Sequence, residues 1–165
     1  ASAGAFLVIE EKSHATARGA RIYAEVSNVV SGRCNRQPGL AIDNACRQFA
    51  SVEKSLSAGP LVILSGASGV EPVTGDELVF LQGVVGQQRE VTLRGYGSVM
   101  GHSVEAQFPL GIGLAALALS HDGMYPPFDD SGIEKPTDSL PGQIMVSCWG
   151  HWRGEALAVV TKATS

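Results

Sequence analysis

Histidine and cysteine are the side chains best able to do chemistry near neutral pH, and this chain has four histidines and three cysteines. Cys34, Cys46 and Cys148 are widely spread. No Cys-x-x-Cys spacing points to a metal centre or a redox pair, so neither a metal nor a cofactor is expected. An odd, scattered set of thiols fits a reducing compartment better than a disulfide scaffold. Cys148, beside Trp149 in an apolar run, reads as a small buried hydrophobe. His102 lies between Gly101 and Ser103, just ahead of the longest apolar stretch. An imidazole there can hold or release a proton near neutral pH, and a helix N-terminus behind it favours the neutral ring. The competing reading is a ring held by backbone carbonyls. His151 and His14 read as structural or solvent-exposed, and Asp76 as an acid at a helix start.

The elements that must position these residues follow from periodicity and punctuation. Gly4 to Glu10 is a short apolar run closed by acids and predicts a buried strand. Lys12 to Arg18 predicts a short helix ended by Gly19. Arg21 to Val30 alternates and is rich in β-branched residues, so it predicts a second strand, with a loop over Ser31 to Pro38. Leu40, Ala41, Ala45, Phe49 and Val52 share one face of a helix within Gly39 to Leu56. Leu61 to Leu64 is a buried strand between turn signals. Thr74 followed by Glu77 is the capping-box pattern and predicts a helix over Thr74 to Val85. A strand is expected over Glu90 to Arg94.

Ala106 to Ser120 is apolar almost all round, which predicts a helix buried on every side, central between two sheets. Pro109 is tolerable only in its first turn. Gly123 ends it, and Pro126 with Pro127 prevents continuation. Ile144 to Cys148 and Leu157 to Thr161 are two further strands around a glycine-bracketed stretch, Gly150 to Gly154. Strands alternate with helices, so the fold class is α/β, a mixed sheet packed on a buried apolar helix with helices on the outer face. No repeat or linker divides the chain, so residues 1–165 read as one domain.

The chain has 165 residues, 44% hydrophobic and 17% charged, with a net charge of -4. This composition excludes a disordered tail. Its basic residues are scattered rather than clustered, which argues against a nucleic-acid partner. No apolar stretch is long and smooth enough to span a bilayer, and no secretory leader is visible. The expectation is a soluble cytoplasmic protein.

The order of motifs resembles the C-terminal half of the β-ketoacyl-ACP synthases, within the thiolase-like superfamily. The opening GAFLVIEEKSHATARGARIYAEV resembles the family segment running "LE…HA..RGA.IYAEV". Thr74 to Glu77, TGDE, resembles the "GD" that follows "HGT"; Gly101 to Ala106, GHSVEA, resembles the "GHT" motif; LALSHDGMYPPF resembles the "LAL..G..PP" after it; and SCWGHWRGEALAVV resembles the closing "SFGFGG.N..LV" hairpin. The resemblance covers nearly the whole chain in order. It implies that the cysteine nucleophile belongs to an upstream half, since none of the three cysteines here has that context.

Carried over position by position, the resemblance also implies a degenerate site. The family's first active-site histidine falls on Ser68, and its lysine on Gly97. The second histidine is kept as His102. The acid three after "GD" falls on Val79. The phenylalanine that gates the acyl pocket falls on His151, followed by Trp152 and Arg153. Trp149, His151, Trp152 and Arg153 would reshape the acyl tunnel, which places His151 and Trp149 as substrate-contacting candidates. Decarboxylating Claisen condensation needs a thiolate to carry the acyl chain and two donors on the enolate oxygen. Loss of one donor typically costs about a hundred- to a thousandfold in rate. A hydroxyl at Ser68 cannot replace an imidazole as base at neutral pH.

The resemblance therefore implies a partner subunit in fatty acid, very-long-chain acyl or polyketide synthesis, working with an acyl carrier protein and dimerising with itself or with another synthase-like chain. Two alternatives stay open. One is an active 3-oxoacyl-ACP synthase whose cysteine lies upstream. The other is an acyl- or CoA-binding module without turnover. A chain standing alone is expected to expose a large apolar face and to self-associate or bind a partner.

Overall fold

The computed structural model describes residues 3–35, 37–85, 89–128, 133–137 and 140–164, without the side chains of residues 84 and 85. Arg36, inside the expected loop before the second helix, lies outside the described residues. Helix α1 is Lys12–Ala17, followed by strand β1 Ala24–Gly32 and helix α2 Leu40–Val52. Strand β2 is Leu61–Ser65 and helix α3 is Val73–Val79, which runs on as a π turn over Phe80–Val85. Strand β3 Val91–Gly95 leads into the short helix α4 Tyr96–Met100. A 3-10 turn, Val104–Ala106, precedes helix α5 Gln107–His121. Strands β4 Gln143–Trp149 and β5 Glu155–Lys162 close the chain.

Among the described residues, five strands form one mixed sheet in the order β1-β5-β4-β2-β3. β2 pairs in parallel with β3 and β4, while β5 pairs antiparallel with β4 and β1. Side chains alternate between two cores, as the period of two along a strand requires. Leu61, Ile63, Met145, Leu157 and Val159 face α2 and α3, where Phe49, Phe80 and Leu81 complete the layer. Val62, Leu64, Ile144, Val146, Ala158 and Val160 face α5. The expected α/β class and the packing of a mixed sheet against an apolar helix both hold.

Gly111 lets α5 approach the sheet closely. A Cβ there would come within 2.7 Å of both the Tyr96 hydroxyl and Val146 Cγ1. Any side chain at this position would force the helix off the strands.

Three sequence expectations are corrected. Gly4 to Glu10 forms no strand: it runs without regular structure beside α5, with Phe6 99% and Val8 85% exposed. An apolar run becomes a strand only where a neighbour offers a free ladder and a layer covers its face, and the sheet edges here are β1 and β3. Helix α5 is not buried on every side, because it lies on one sheet and leaves Leu117 47% exposed. The N-terminal segment, α1 and β1 border a groove with α5, lined by Leu7, Ile22, Tyr23, Ile112, Ala116 and Leu117.

The third correction concerns the capping box. Helix α3 starts at Val73, directly after Pro72, and no side chain caps it. Thr74 therefore lies inside the helix, and Val73, Glu77, Phe80 and Leu81 form the inward face at helical spacing. Glu77 is thereby turned into the core instead of back toward the helix start.

Among the described residues no helix is long and apolar enough to cross a membrane.

Candidate functional site

Three loops converge where β2, β3 and β4 end. Because α3 crosses on one face of the sheet and α5 on the other, these carboxyl ends border the crevice in which open α/β sheets bind ligands. The loop after β2 carries Ser68, the connection from β3 to α5 carries Gly97 and His102, and the β4–β5 hairpin carries His151.

Gln107 ties two of these loops together. It is the first residue of α5 and fully buried. Its side-chain Nε2 donates to the Gly66 carbonyl at 2.9 Å, and its Oε1 accepts the Ser103 amide at 2.8 Å. Its own carbonyl accepts the Tyr96 hydroxyl at 3.0 Å. One amide thus fixes the backbone two residues before Ser68 and one residue after His102. Both ends of a buried amide need partners, so this cross-link defines the relative position of the loops.

Gly97 lies in the first turn of α4, buried against the loop after β2. A Cβ there would land on the carbonyl oxygens of Gly66 and Ala67. No side chain fits this position while that loop keeps its path. Ser68 is half-buried in the same loop.

His102 and His151 are brought together. Their rings stack with centroids 3.6 Å apart and planes 18° from parallel. His102 is half-buried, and burial lowers its pKa below the ordinary histidine value, with the His151 charge acting in the same direction. Both effects disfavour the charged form of the His102 ring.

Trp149 is not part of this group. It is the last residue of β4, 2% exposed, and its ring packs 5.9 Å from Phe80 in the core beneath α2 and α3. Strand alternation sends it to that face, while His151 sits beyond the strand end. The expectation that Trp149 contacts substrate is corrected accordingly. Asp76 is in the first turn of α3, as expected of a helix-start acid, and His14 is exposed beside Glu10 at 2.9 Å.

Beneath the crevice lies a buried acid that sequence reading missed. Glu77 has no exposure, and its Oε1 accepts the Ser65 and Ser147 hydroxyls at 2.8 Å each. Its Oε2 has no partner among the described residues. Burial pushes the Glu77 pKa up to about 7, against the opposing pull of the two serine hydroxyls. Ser65 also accepts the Ala67 amide at 3.1 Å, so the acid, the ends of β2 and β4 and the loop toward Ser68 form one network. Two serines closing the apolar runs LVILS and QIMVS were the available signal. Nearby, burial pushes the Cys148 thiol up to about 12, with the Glu77 charge adding to it. A thiol so held is not a nucleophile at neutral pH. Among the described residues no group of three or more His, Cys, Asp or Glu could hold a metal.

No family model matches the chain. A Streptomyces rimosus protein named as beta-ketoacyl synthase 1 of the oxytetracycline polyketide is 29% identical over 131 residues, covering 74% of this chain and 30% of that protein. Among solved structures, an oxazolomycin ketosynthase domain from Streptomyces albus superposes with a TM-score of 0.70 at 20% identity, covering 92% of this chain and 48% of that one. The module 6 ketosynthase of the Bacillus subtilis bacillaene synthase gives 0.71 at 15% identity, covering 94% and 33%. A type II polyketide ketosynthase, in complex with its acyl carrier protein and bound to a hexaketide, gives 0.66 at 14% identity, covering 93% and 38%. The resemblance to β-ketoacyl synthases read from the motifs holds, and the fold is that of ketosynthases. The chain spans between about a third and a half of each of these proteins.

Proposed function

We propose that this chain belongs to a ketosynthase-like protein that does not itself condense acyl groups and serves as the partner subunit of an active synthase in polyketide or fatty acid assembly. The observation that carries the proposal is the packing at Gly97. The space a cationic side chain would need there is filled by the carbonyls of Gly66 and Ala67. With a hydroxyl at Ser68 as well, the crevice lacks both the charge and the first imidazole that the resemblance implies. Its likeness to a ketosynthase solved with an acyl carrier protein supports an acyl carrier protein as the partner, and the exposed apolar segment around Phe6 and Val8 supports association with a second synthase-like chain, either a copy of itself or a different subunit.

The test is a condensation assay with malonyl- and acyl-loaded carrier protein, using the full-length protein alone and then with an active ketosynthase. The expected outcome is condensation at least about a hundredfold slower than an intact synthase when alone, and a changed product length in the mixture. Condensation at an ordinary rate by the protein alone would overturn the proposal. It would establish the second reading, an active 3-oxoacyl synthase with its nucleophile elsewhere in the polypeptide, which the name of the Streptomyces rimosus relative favours.

A further inference from the structure

We propose that His102 and His151 together form a carboxylate-binding site, in which the hairpin after β4 supplies an imidazole that the loop after β2 does not. The proposal rests on the ketosynthase-like reading only for the identity of the acyl carrier. The recognition itself follows from the geometry of the two rings.

Two imidazoles stacked at 3.6 Å and 18° from parallel present their edges side by side. Each neutral ring has one N–H donor. Donors on the same edge of such a stack are spaced to engage the two oxygens of one carboxylate, one ring to each oxygen. Hydrogen bonds to a charged oxygen are the stronger class. Among the described residues neither ring is engaged by a hydrogen bond. The pair is at the carboxyl ends of parallel strands, with His102 half-buried and His151 exposed, so one ring is partly shielded from water while the other is open to an incoming ligand.

The position of His102 is set rather than loose. Its neighbour Ser103 is held by Gln107, which also holds Gly66. His151 is held by a tight hairpin in which the Gly150 amide donates to the Gly154 carbonyl at 2.9 Å. A metal does not fit the arrangement. A tetrahedral ion needs convergent donors and at least a third ligand, and no group of three or more His, Cys, Asp or Glu that could hold one is present among the described residues.

A free dicarboxylate and a carboxylate carried on an acyl thioester offer the same chemistry, and the experiment separates them. The histidine ring protons of the full-length protein are followed by NMR during titration with malonate, with malonyl-N-acetylcysteamine, and with acetyl-N-acetylcysteamine, which lacks the carboxylate. The expected result is saturable shifts of both rings with one or both malonyl probes and none with the acetyl probe. His151→Phe keeps an aromatic face against His102 but has no N–H, and should weaken binding about tenfold or more. His151→Gln keeps a donor and should restore most of that loss, which a merely structural role would not.

Equal binding of the acetyl probe, unchanged binding in His151→Phe, or no saturable shift at either ring would overturn the proposal, as would tighter binding of zinc than of any carboxylate. Carboxylate binding and condensation are read separately, so either proposal can fail while the other stands.

Discussion

Replacing Glu77 by Gln should make the fold more stable in mildly alkaline solution and change it little in mild acid. Glu77 is fully buried, and its pKa is raised from the ordinary 4.5 to about 7. A raised carboxyl pKa means that the folded state holds the proton more tightly than the unfolded chain. The stability linked to that proton is therefore fully present below about pH 4.5, declines as pH rises, and is lost once pH passes about 7. At about 1.4 kcal/mol for each tenfold change in proton affinity, the loss amounts to about 3 kcal/mol. Gln keeps an oxygen to accept the Ser65 and Ser147 hydroxyls and cannot ionise. The variant should thus exceed the parent by up to about 3 kcal/mol at pH 8, or roughly 6–12 °C in Tm for a domain of this size. Urea unfolding at pH 5 and at pH 8 measures both ends. A parent protein equally stable at the two pH values would refute the reasoning, as would a variant less stable than the parent at both.

Four further outcomes are expected. Gly97→Ala should cost about 3 kcal/mol, because its Cβ meets backbone and not a flexible side chain, and Gly97→Lys should not raise condensation; thermal unfolding and the carrier-protein assay check these. Gln107→Ala should cost about 2–3 kcal/mol by leaving buried backbone groups at Gly66 and Ser103 unpaired, with faster hydrogen exchange at the Ser103 amide. Cys148, with its thiol pushed up to about 12, should be alkylated only as fast as the protein unfolds, while half-buried Cys34 and Cys46 react earlier; mass spectrometry of iodoacetamide-treated protein resolves the order. Phe6→Ser combined with Val8→Ser should weaken self-association, read as a shift toward monomer in sedimentation.

The inner strands and helix α2 were legible from their own residues. Leu61–Ser65 and Gln143–Trp149 are mostly apolar runs, and parallel strands covered on both faces demand such runs whatever surrounds them. Helix α2 shows its inward face as Ala41, Ala45, Phe49 and Val52. Gly4 to Glu10 was not legible, because its residues record a wish for cover and not where the cover is. The motif order also pointed to the residues of the crevice, since glycine and histidine in a turn before an apolar helix restrict what can stand there.

What one residue means to another was decided only by the tertiary structure. Thr74 and Glu77 carry the local pattern of a capping box, yet Pro72 starts the helix one residue sooner and helical spacing turns Glu77 into the core, onto two serines 12 and 70 positions away. Trp149 and His151 are two residues apart, but the period of a strand sends one ring into the hydrophobic layer while the hairpin brings the other onto His102, 49 positions distant. The sequence by itself determined which segments are apolar, where the backbone must turn and which side chains can carry protons. It did not determine which of those side chains meet, because burial, register and crossover direction are properties of the assembled sheet, and these set the pKa of Glu77, the closure around Gly97 and the stacking of the two imidazoles.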